Sequence, residues 1–253
     1  MKRLLYITQY YASSDQPGAS RHYQHIRNLQ KHGYQVTLIT SYVKNRLRVI
    51  PPEYQNTKIA CEQEGDLTIY KTYAYPNYGA DFRTRMLNYL SFMIYAIIAG
   101  LKASSCDLVF ASSPSLFVGV AGYVLSRLKR APFVLEVRDL WPETAVVMGA
   151  LRSPVLIWLA MRLARFLYQR AERVIAVTEG IRQGIIEAGT PASKIVLVPN
   201  GVDDDLFATL SPDAASTIRQ EYGWGDRFVA LYAGTLARSD GLHAIVRAAA
   251  ALA

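Results

Sequence analysis

The sequence predicts an α/β protein of two doubly wound parallel-sheet units, the first complete and the second only begun, joined by a hinge near residue 200. Three observations carry that expectation. Apolar runs of strand length, Leu4-Leu-Tyr-Ile-Thr8 foremost, are continuous instead of alternating, as befits strands covered on both faces. Segments of helical period separate them, which is the order of a parallel sheet with crossover helices. Finally, Ile195 to Val198 is a short β-branched run stopped by Pro199-Asn200-Gly201, residues that fix φ, tolerate a left-handed conformation and dispense with Cβ. The same three residues suit an ordinary surface turn; what distinguishes them is a finished strand and helix series before and a fresh one after. Residues 1–198 are thus expected to form the first unit, 199–212 the hinge and 213–253 the start of the second.

Gross composition bounds the partners. The 253 residues, 51% of them hydrophobic, supply one large core or two small ones. A net charge of +8 favours an anionic partner without naming it: nucleic acid, acidic lipid and a diphosphate substrate all fit. Cys61 and Cys106 are too few and too far apart for a disulfide framework or a metal cluster, so two free thiols in a reducing compartment are expected. Met1-Lys-Arg runs straight into the first strand, so no cleavable leader and a cytoplasmic location are expected.

Taken in order, residues 20–32 follow the first strand and place His22, Ile26 and Leu29 at helical spacing until Gly33 ends the helix. A second strand spans 35–40. The loop before the helix, Gln16-Pro-Gly-Ala-Ser-Arg21, lies at a strand's carboxyl end and a helix's N-terminus, where doubly wound sheets bind ligands. With a single glycine it lacks the dinucleotide fingerprint, which weighs against an oxidoreductase. Arg21 and His22 also suit an exposed first helical turn. Residues 41–66 have no clean period and carry Pro51-Pro52, so an irregular stretch is expected; its Lys44, Arg46 and Arg48 suit a solvated edge or a diphosphate.

A third strand is expected over 67–73. From Met86 to Leu101 no residue is charged, yet the run falls short of the roughly 20 residues needed to cross a bilayer. That leaves a core helix, or a helix lying in a membrane interface with Arg83, Arg85 and Lys102 at its ends. A fourth strand over 107–114 turns through Ser-Ser-Pro114 into a helix over 115–128, and a fifth over 133–137 delivers Arg138-Asp-Leu-Trp-Pro-Glu143 to the sheet's carboxyl edge. Residues 153–170 set Leu156, Leu159, Leu163 and Leu167 against Arg162, Arg165 and Arg170, a pattern shared by membrane-facing and ordinary surface helices. A sixth strand over 173–177, a helix over 179–188 capped by Thr178, and the strand over 195–198 finish the unit. Beyond the hinge, a helix over 214–222, a strand over 228–233 and a loop from Gly234 opening a helix over 241–251 are expected. Strand, glycine and helix start make a phosphate-receptive loop.

The richest chemistry is Arg138 to Glu143. A cation, two carboxylates, an indole and a rigid proline within six residues suit a sugar site, the carboxylates bonding hydroxyls and the aromatic stacking on the ring. A salt bridge from Arg138 to Glu143 or Asp139, bracing a turn, is the plainer reading. Taken with the hinge Pro199-Asn-Gly-Val-Asp203, the stretch Ala171-Glu-Arg-Val-Ile-Ala-Val-Thr-Glu-Gly-Ile-Arg182 and Leu231-Tyr-Ala-Gly-Thr-Leu236, it makes the chain resemble the retaining glycosyltransferases of family 4 over nearly its whole length. Arg-Asp-Leu-Trp-Pro-Glu is similar to the subgroup that transfers N-acetylated deoxyhexosamines in bacterial polysaccharide assembly.

The resemblance implies two Rossmann-like domains in the GT-B arrangement. It also implies transfer of a hexosamine-type sugar from a nucleotide-diphosphate donor to a polyprenyl-diphosphate-linked or polysaccharide acceptor, with retention, in polysaccharide or lipopolysaccharide assembly. Catalytic roles fall to Asp139, Arg138 and Glu143, acceptor contacts to Gly18, Ser20, Arg21, His22 and Trp141, and donor contacts to Gly234, Thr235 and Arg238. Arg138 stands where many members carry His, so Asp139 carries the catalytic expectation. Thr235 and Asp240 replace the Arg and Lys that usually grip the diphosphate, and the family's Glu-x7-Glu motif falls beyond Ala253, so this span alone is expected to be inactive.

Asp203-Asp-Asp205 is not read as a metal site, because neighbours in extended chain point to opposite sides. The resemblance implies metal-independent transfer with no cofactor. The partners it implies are a nucleotide-diphosphate sugar, a lipid-linked or oligosaccharide acceptor and an anionic membrane surface, with no nucleic acid. The location it implies is cytoplasmic and peripheral on the inner face of the cell membrane. A nucleotide-sugar epimerase of the same fold and a non-catalytic sugar- or lipid-binding module are the alternatives.

Overall fold

A computed structural model describes residues 2–12, 20–43, 49–76, 82–201, 212–234 and 241–252. The chain divides into two compact units, Met1–Gly201 and Val202–Ala253. The first is built on one eight-stranded sheet of β1 (Lys2–Thr8), β2 (Tyr34–Ser41), β3 (Ile59–Glu64), β4 (Leu67–Thr72), β5 (Leu108–Ser112), β6 (Phe133–Val137), β7 (Arg173–Ala176) and β8 (Ile195–Leu197), ordered β3-β4-β2-β1-β5-β6-β7-β8. All strand pairs are parallel except β3 with β4. The order reverses direction between β1 and β5, and at such a switch point the loops leaving the strands diverge and open a crevice at their carboxyl ends.

Side chains alternate through β1 to two separate cores, as a pleated strand requires. Leu4 and Tyr6 join Val36, Leu38, Ile69 and Phe110 under Ile26 of α1 (Ser20–Lys31). Leu5 and Ile7 belong to the larger cluster on the other face, with Phe92 and Ala96 of α2 (Phe82–Lys102), Leu125 of α3 (Leu116–Lys129) and Leu167 of α5 (Pro154–Arg170). Between α3 and α5 in sequence lies the short α4 (Glu143–Val147), and α6 (Glu179–Glu187) joins β7 to β8. Ser115 and Thr178 cap α3 and α6, each accepting a backbone N–H of the first turn at 3.2 Å. Helix α3 lies close on the sheet at Gly122, where a Cβ would stand 2.7 Å from both Ala111 Cβ and the Phe133 ring.

Two expectations fail, and one short helix is added to the expected elements. Residues 59–64 form a strand, where an irregular stretch was expected. It is an antiparallel edge strand with no buried residue, so it carries no hydrophobic alternation to read; a cross-strand Lys71 to Glu62 ion pair at 2.6 Å helps to hold it. The last residue of the Arg138 to Glu143 stretch begins α4, a single turn too short to show a helical period. In the second unit, α7 (Pro212–Glu221) and α8 (His243–Leu252) form as expected, but the apolar run over 228–233 pairs with no strand among the described residues. Phe228 is 95% exposed there. A strand exists only through its neighbours, and propensity alone does not supply one.

Helix α2 is 21 residues long, longer than its uncharged stretch, and by length and composition it is apolar enough to cross a membrane. Phe92, Ala96 and Ala99 nevertheless pack into the unit, leaving Leu87, Ile94, Ile98 and Leu101 exposed. Val147 and Met148 at the end of α4, and Val155, Leu156, Trp158 and Leu159 at the start of α5, are exposed as well. Crossover helices run antiparallel to the strands they connect, so the first turns of α2 and α5 flank the carboxyl edge of the sheet.

The tight seat of α3 is testable. Gly122→Ala is expected to cost about 1–3 kcal/mol, because both contacts of the added methyl belong to the sheet. Urea denaturation measures this, with Gly201→Ala, where nothing lies within 4 Å of the added Cβ, as the control expected to change little.

Candidate functional site

At the switch point, a carboxylate stands where the sequence pattern asks for an apolar side chain. Glu136, fourth residue of β6, is 0% exposed. Burying a charge is costly unless it is paired and its lone pairs are filled. Both conditions are met. Arg21 donates from Nε at 3.1 Å and from one terminal nitrogen at 2.5 Å to Oε1, while the Ser112 hydroxyl donates to Oε2 at 2.5 Å. Burial alone would push the Glu136 carboxyl up; the bonds from Arg21 and Ser112 and the nearby positive charge more than reverse this and hold it below the ordinary carboxylate range.

The remaining donors of Arg21 reach the end of the unit. One terminal nitrogen donates to the Pro199 carbonyl at 3.0 Å and to Asn200 Oδ1 at 2.8 Å, and the other to the Val198 carbonyl at 3.2 Å. All five N–H groups of the guanidinium are therefore engaged. The expected alternative of an exposed first helical turn does not form.

One residue on, His22 is buried between β1 and β6. Its Nε2 lies 3.0 Å from a terminal nitrogen of Arg138 and 3.2 Å from Thr8 Oγ1; its Nδ1 lies 2.8 Å from the Tyr6 hydroxyl. A guanidinium can only donate, so Nε2 is the acceptor and the proton sits on Nδ1, which donates to Tyr6. Burial first, and the Arg138 charge second, lower His22 to about 3, which keeps it neutral at physiological pH. Burial likewise lowers the partly exposed His25 nearby.

Arg138 is thus aimed by His22 through its side chain and by Ser113, whose hydroxyl accepts its backbone N–H at 3.1 Å. The salt bridge to Asp139 or Glu143 does not form among the described residues. Asp139 is exposed, makes no side-chain hydrogen bond or ion pair among them, and borders a small depression with Ser113, Ser115 and Tyr168. Trp141 stands edge-on to Tyr89 of α2, ring centroids 6.3 Å apart. Glu143 is exposed at the start of α4, and its charge adds to burial in raising the Tyr168 phenol.

The structure therefore brings Arg21, His22, Arg138, Asp139 and Trp141 to one edge of the sheet. Ser20 starts α1 beside them. Gly18, Thr235 and Arg238 lie outside the described residues, as do Lys44, Arg46, Arg48 and Asp203 to Asp205; Gly234 is described and exposed. Sequence reasoning missed Glu136, Ser112, Tyr6 and Thr8. Only Glu136 left a signal, a lone carboxylate inside an apolar run predicted to be a covered strand.

A doubly wound sheet with its polar groups gathered at the switch point makes the first unit Rossmann-like, and solved structures of the GT-B glycosyltransferase class share its fold. HepE of Anabaena in complex with UDP-glucose aligns with TM-score 0.60 at 19% identity, over 99% of this chain and 57% of that one. Sucrose-phosphate synthase from Thermosynechococcus elongatus aligns with TM-score 0.63 at 16% identity, over 99% and 60%. The catalytic domain of starch synthase IV from Arabidopsis thaliana, bound to ADP and acarbose, gives 0.57 at 10%, over 98% and 65%. The chain thus spans less than two thirds of the length of each. Among curated protein sequences no match is found. The chain belongs to the glycosyl transferase 4-like domain family, whose pattern matches residues 18–201.

The buried histidine makes stability depend on pH. His22 has a folded pKa of about 3, below its ordinary 6.5, so protonation favours the unfolded chain. Its contribution is complete above about 6.5 and declines as pH falls toward 3; that of Glu136 is complete above its ordinary 4.5 and is lost only below it. The melting temperature is expected to drop between pH 6.5 and 4.5, and His22→Gln is expected to remove most of that slope. Equal slopes in the two proteins would assign the dependence elsewhere.

Proposed function

We propose that the first unit is the acceptor half of a glycosyltransferase. In this reading, a hexosamine-type sugar moves from a nucleotide-diphosphate donor to a polyprenyl-diphosphate-linked or polysaccharide acceptor, with retention. The observation that carries the reading is the pairing of a held cation with an uncommitted carboxylate: Arg138, aimed by neutral His22, beside Asp139 at the carboxyl end of β6. Residues 199–212 serve as the hinge, and 213–253 begin the donor unit, where Gly234, Thr235 and Arg238 meet the donor. The stretch Arg138 to Glu143 supports an N-acetylated deoxyhexosamine as the transferred sugar.

Departure of the nucleoside diphosphate places negative charge on a phosphate oxygen. A guanidinium already oriented meets that charge without reorganising, and this is the largest kind of term available to such a site. Asp139 accepts a hydrogen bond from the acceptor hydroxyl and aligns it, Trp141 offers a face to the sugar ring, and Glu143 bonds a further hydroxyl. Gly18 and Ser20 are acceptor-binding residues in this reading, while Arg21 and His22 act through the groups they hold. Transfer is metal-independent in this reading, the positive potential coming from Arg138 and the N-terminus of α1.

The same reading puts the acceptor, and hence the protein, at the cytoplasmic face of a membrane. The exposed apolar residues of α2 and the start of α5 support this, with Arg162 beside Trp158 at 5.1 Å and Arg165 exposed one turn on. Apolar side chains enter the headgroup region while each nearby arginine contributes about 1 kcal/mol on anionic lipid.

Two measurements test the reading. In a chain that includes a complete donor unit, Arg138→Ala and Asp139→Asn are each expected to lower kcat by about 10²–10³ with the melting temperature nearly unchanged; retained turnover, or loss by unfolding alone, would overturn the site. An epimerase would instead interconvert the nucleotide sugar with no acceptor present. For the membrane face, co-sedimentation with anionic vesicles is expected to weaken with salt. It is also expected to fall about tenfold or more in Ile94→Glu/Ile98→Glu, since each buried apolar side chain is worth about 1.5–3 kcal/mol. Equal binding by wild type and variant would remove α2 from the interface.

A further inference from the structure

Arg21 is built unlike a ligand-binding arginine. Its side chain is 10% exposed, and every N–H is committed to protein, two to Glu136 and three to the segment that leaves the unit. Those three acceptors, the carbonyls of Val198 and Pro199 and the Asn200 side chain, follow directly on β8. Among the described residues Val198 is otherwise tied by its N–H, which donates to the Ala176 carbonyl at 2.9 Å. Pro199 has no N–H of its own, and Pro199, Asn200 and Gly201 are all exposed. The exit of the chain is thus held by one guanidinium from the first turn of α1, 177 to 179 residues away in sequence.

We propose that Arg21 is a positioning residue that ties the start of α1 to the exit at Val198–Asn200, so that the acceptor edge and the direction of the chain into the following unit are set together. The purpose of this tie rests on the glycosyl-transfer reading; its existence does not. Glu136 supplies the anchor. Held from β6 and bonded by Ser112 of β5, it fixes the plane of the guanidinium, and that plane directs the remaining donors at the exit. A lysine could neutralise Glu136 but could not reach both sides, because its ammonium has no planar fork. A movement of Ser20 or of the first turn of α1 would therefore be felt at Pro199 and Asn200, with no rearrangement of the sheet between them.

The test follows amide hydrogen exchange at Val198, Asn200 and Gly201 together with the thermal transition, in the whole 253-residue chain and in Arg21→Lys and Asn200→Ala. In Arg21→Lys, most of the thermal stability is expected to remain while exchange at Val198 rises about tenfold, the scale of one or two lost hydrogen bonds. Asn200→Ala removes one exit-side acceptor and leaves the buried pair intact. It is expected to keep its melting temperature and to exchange about threefold faster over 198–201. If lysine restores exit protection along with stability, Arg21 is only the counter-ion of Glu136 and the proposal is wrong. Unchanged exchange in Asn200→Ala is equally fatal, and that variant decides alone should Arg21→Lys not fold. Neither arm requires transfer activity, so failure of the glycosyl-transfer reading would appear separately, in the Arg138 and Asp139 variants.

Discussion

The polar edge of this protein depends on one buried ion pair. Glu136 lies within the sheet, where an unpaired carboxylate would cost several kcal/mol, and its presence obliges Arg21 to turn inward with a fixed plane. Once that plane is set, α1 begins at a fixed place over β1 and β6, and His22 can enter only between Tyr6, Thr8 and Arg138. Buried pairs of this kind contribute little net stability when compared with apolar packing. What this one contributes is geometry, since a charge with filled lone pairs tolerates few arrangements.

The electrostatics follow from the same packing. Burial of His22 first, and the Arg138 charge second, keep the imidazole neutral, and it serves as an acceptor. The switch-point crevice therefore holds a guanidinium whose direction is set before any ligand arrives. Asp139, the next residue, is left without a protein partner among those described. The proposed transfer, in which a leaving diphosphate is met and a hydroxyl aligned, uses this division between a held cation and a free carboxylate.

The face of the sheet opposite α1 serves a different end. Helices α2, α3 and α5 bury one side each and leave a broad apolar exterior on α2 and the start of α5. Isolated exposed apolar residues are ordinary, but two sets of them, one along α2 and one at the start of α5 with arginines beside it, are not. The first turns of α2 and α5 flank the edge that carries Trp141 and Asp139, which gives the proposed lipid-linked acceptor a short path to the site.

Much of this was legible from the sequence alone. Continuous apolar runs and helical spacing identified seven of the eight strands and the crossover helices, because covered strands must be apolar throughout and a packed helix must repeat its face. Strand β3 was not legible, having no buried face to impose a pattern. Arg138 to Glu143 stood out as a dense group of sugar-compatible side chains at a strand end, and Arg21 and His22 stood out by position. Which of them point inward was decided by tertiary structure: a 3.0 Å bond between His22 and Arg138 and a clamp between residues 21 and 200 join side chains more than a hundred residues apart. Sequence encodes the period of each element because burial acts locally, residue by residue. The partners of a buried charge depend on which strands lie side by side, and only the order of the strands in the folded sheet settles that.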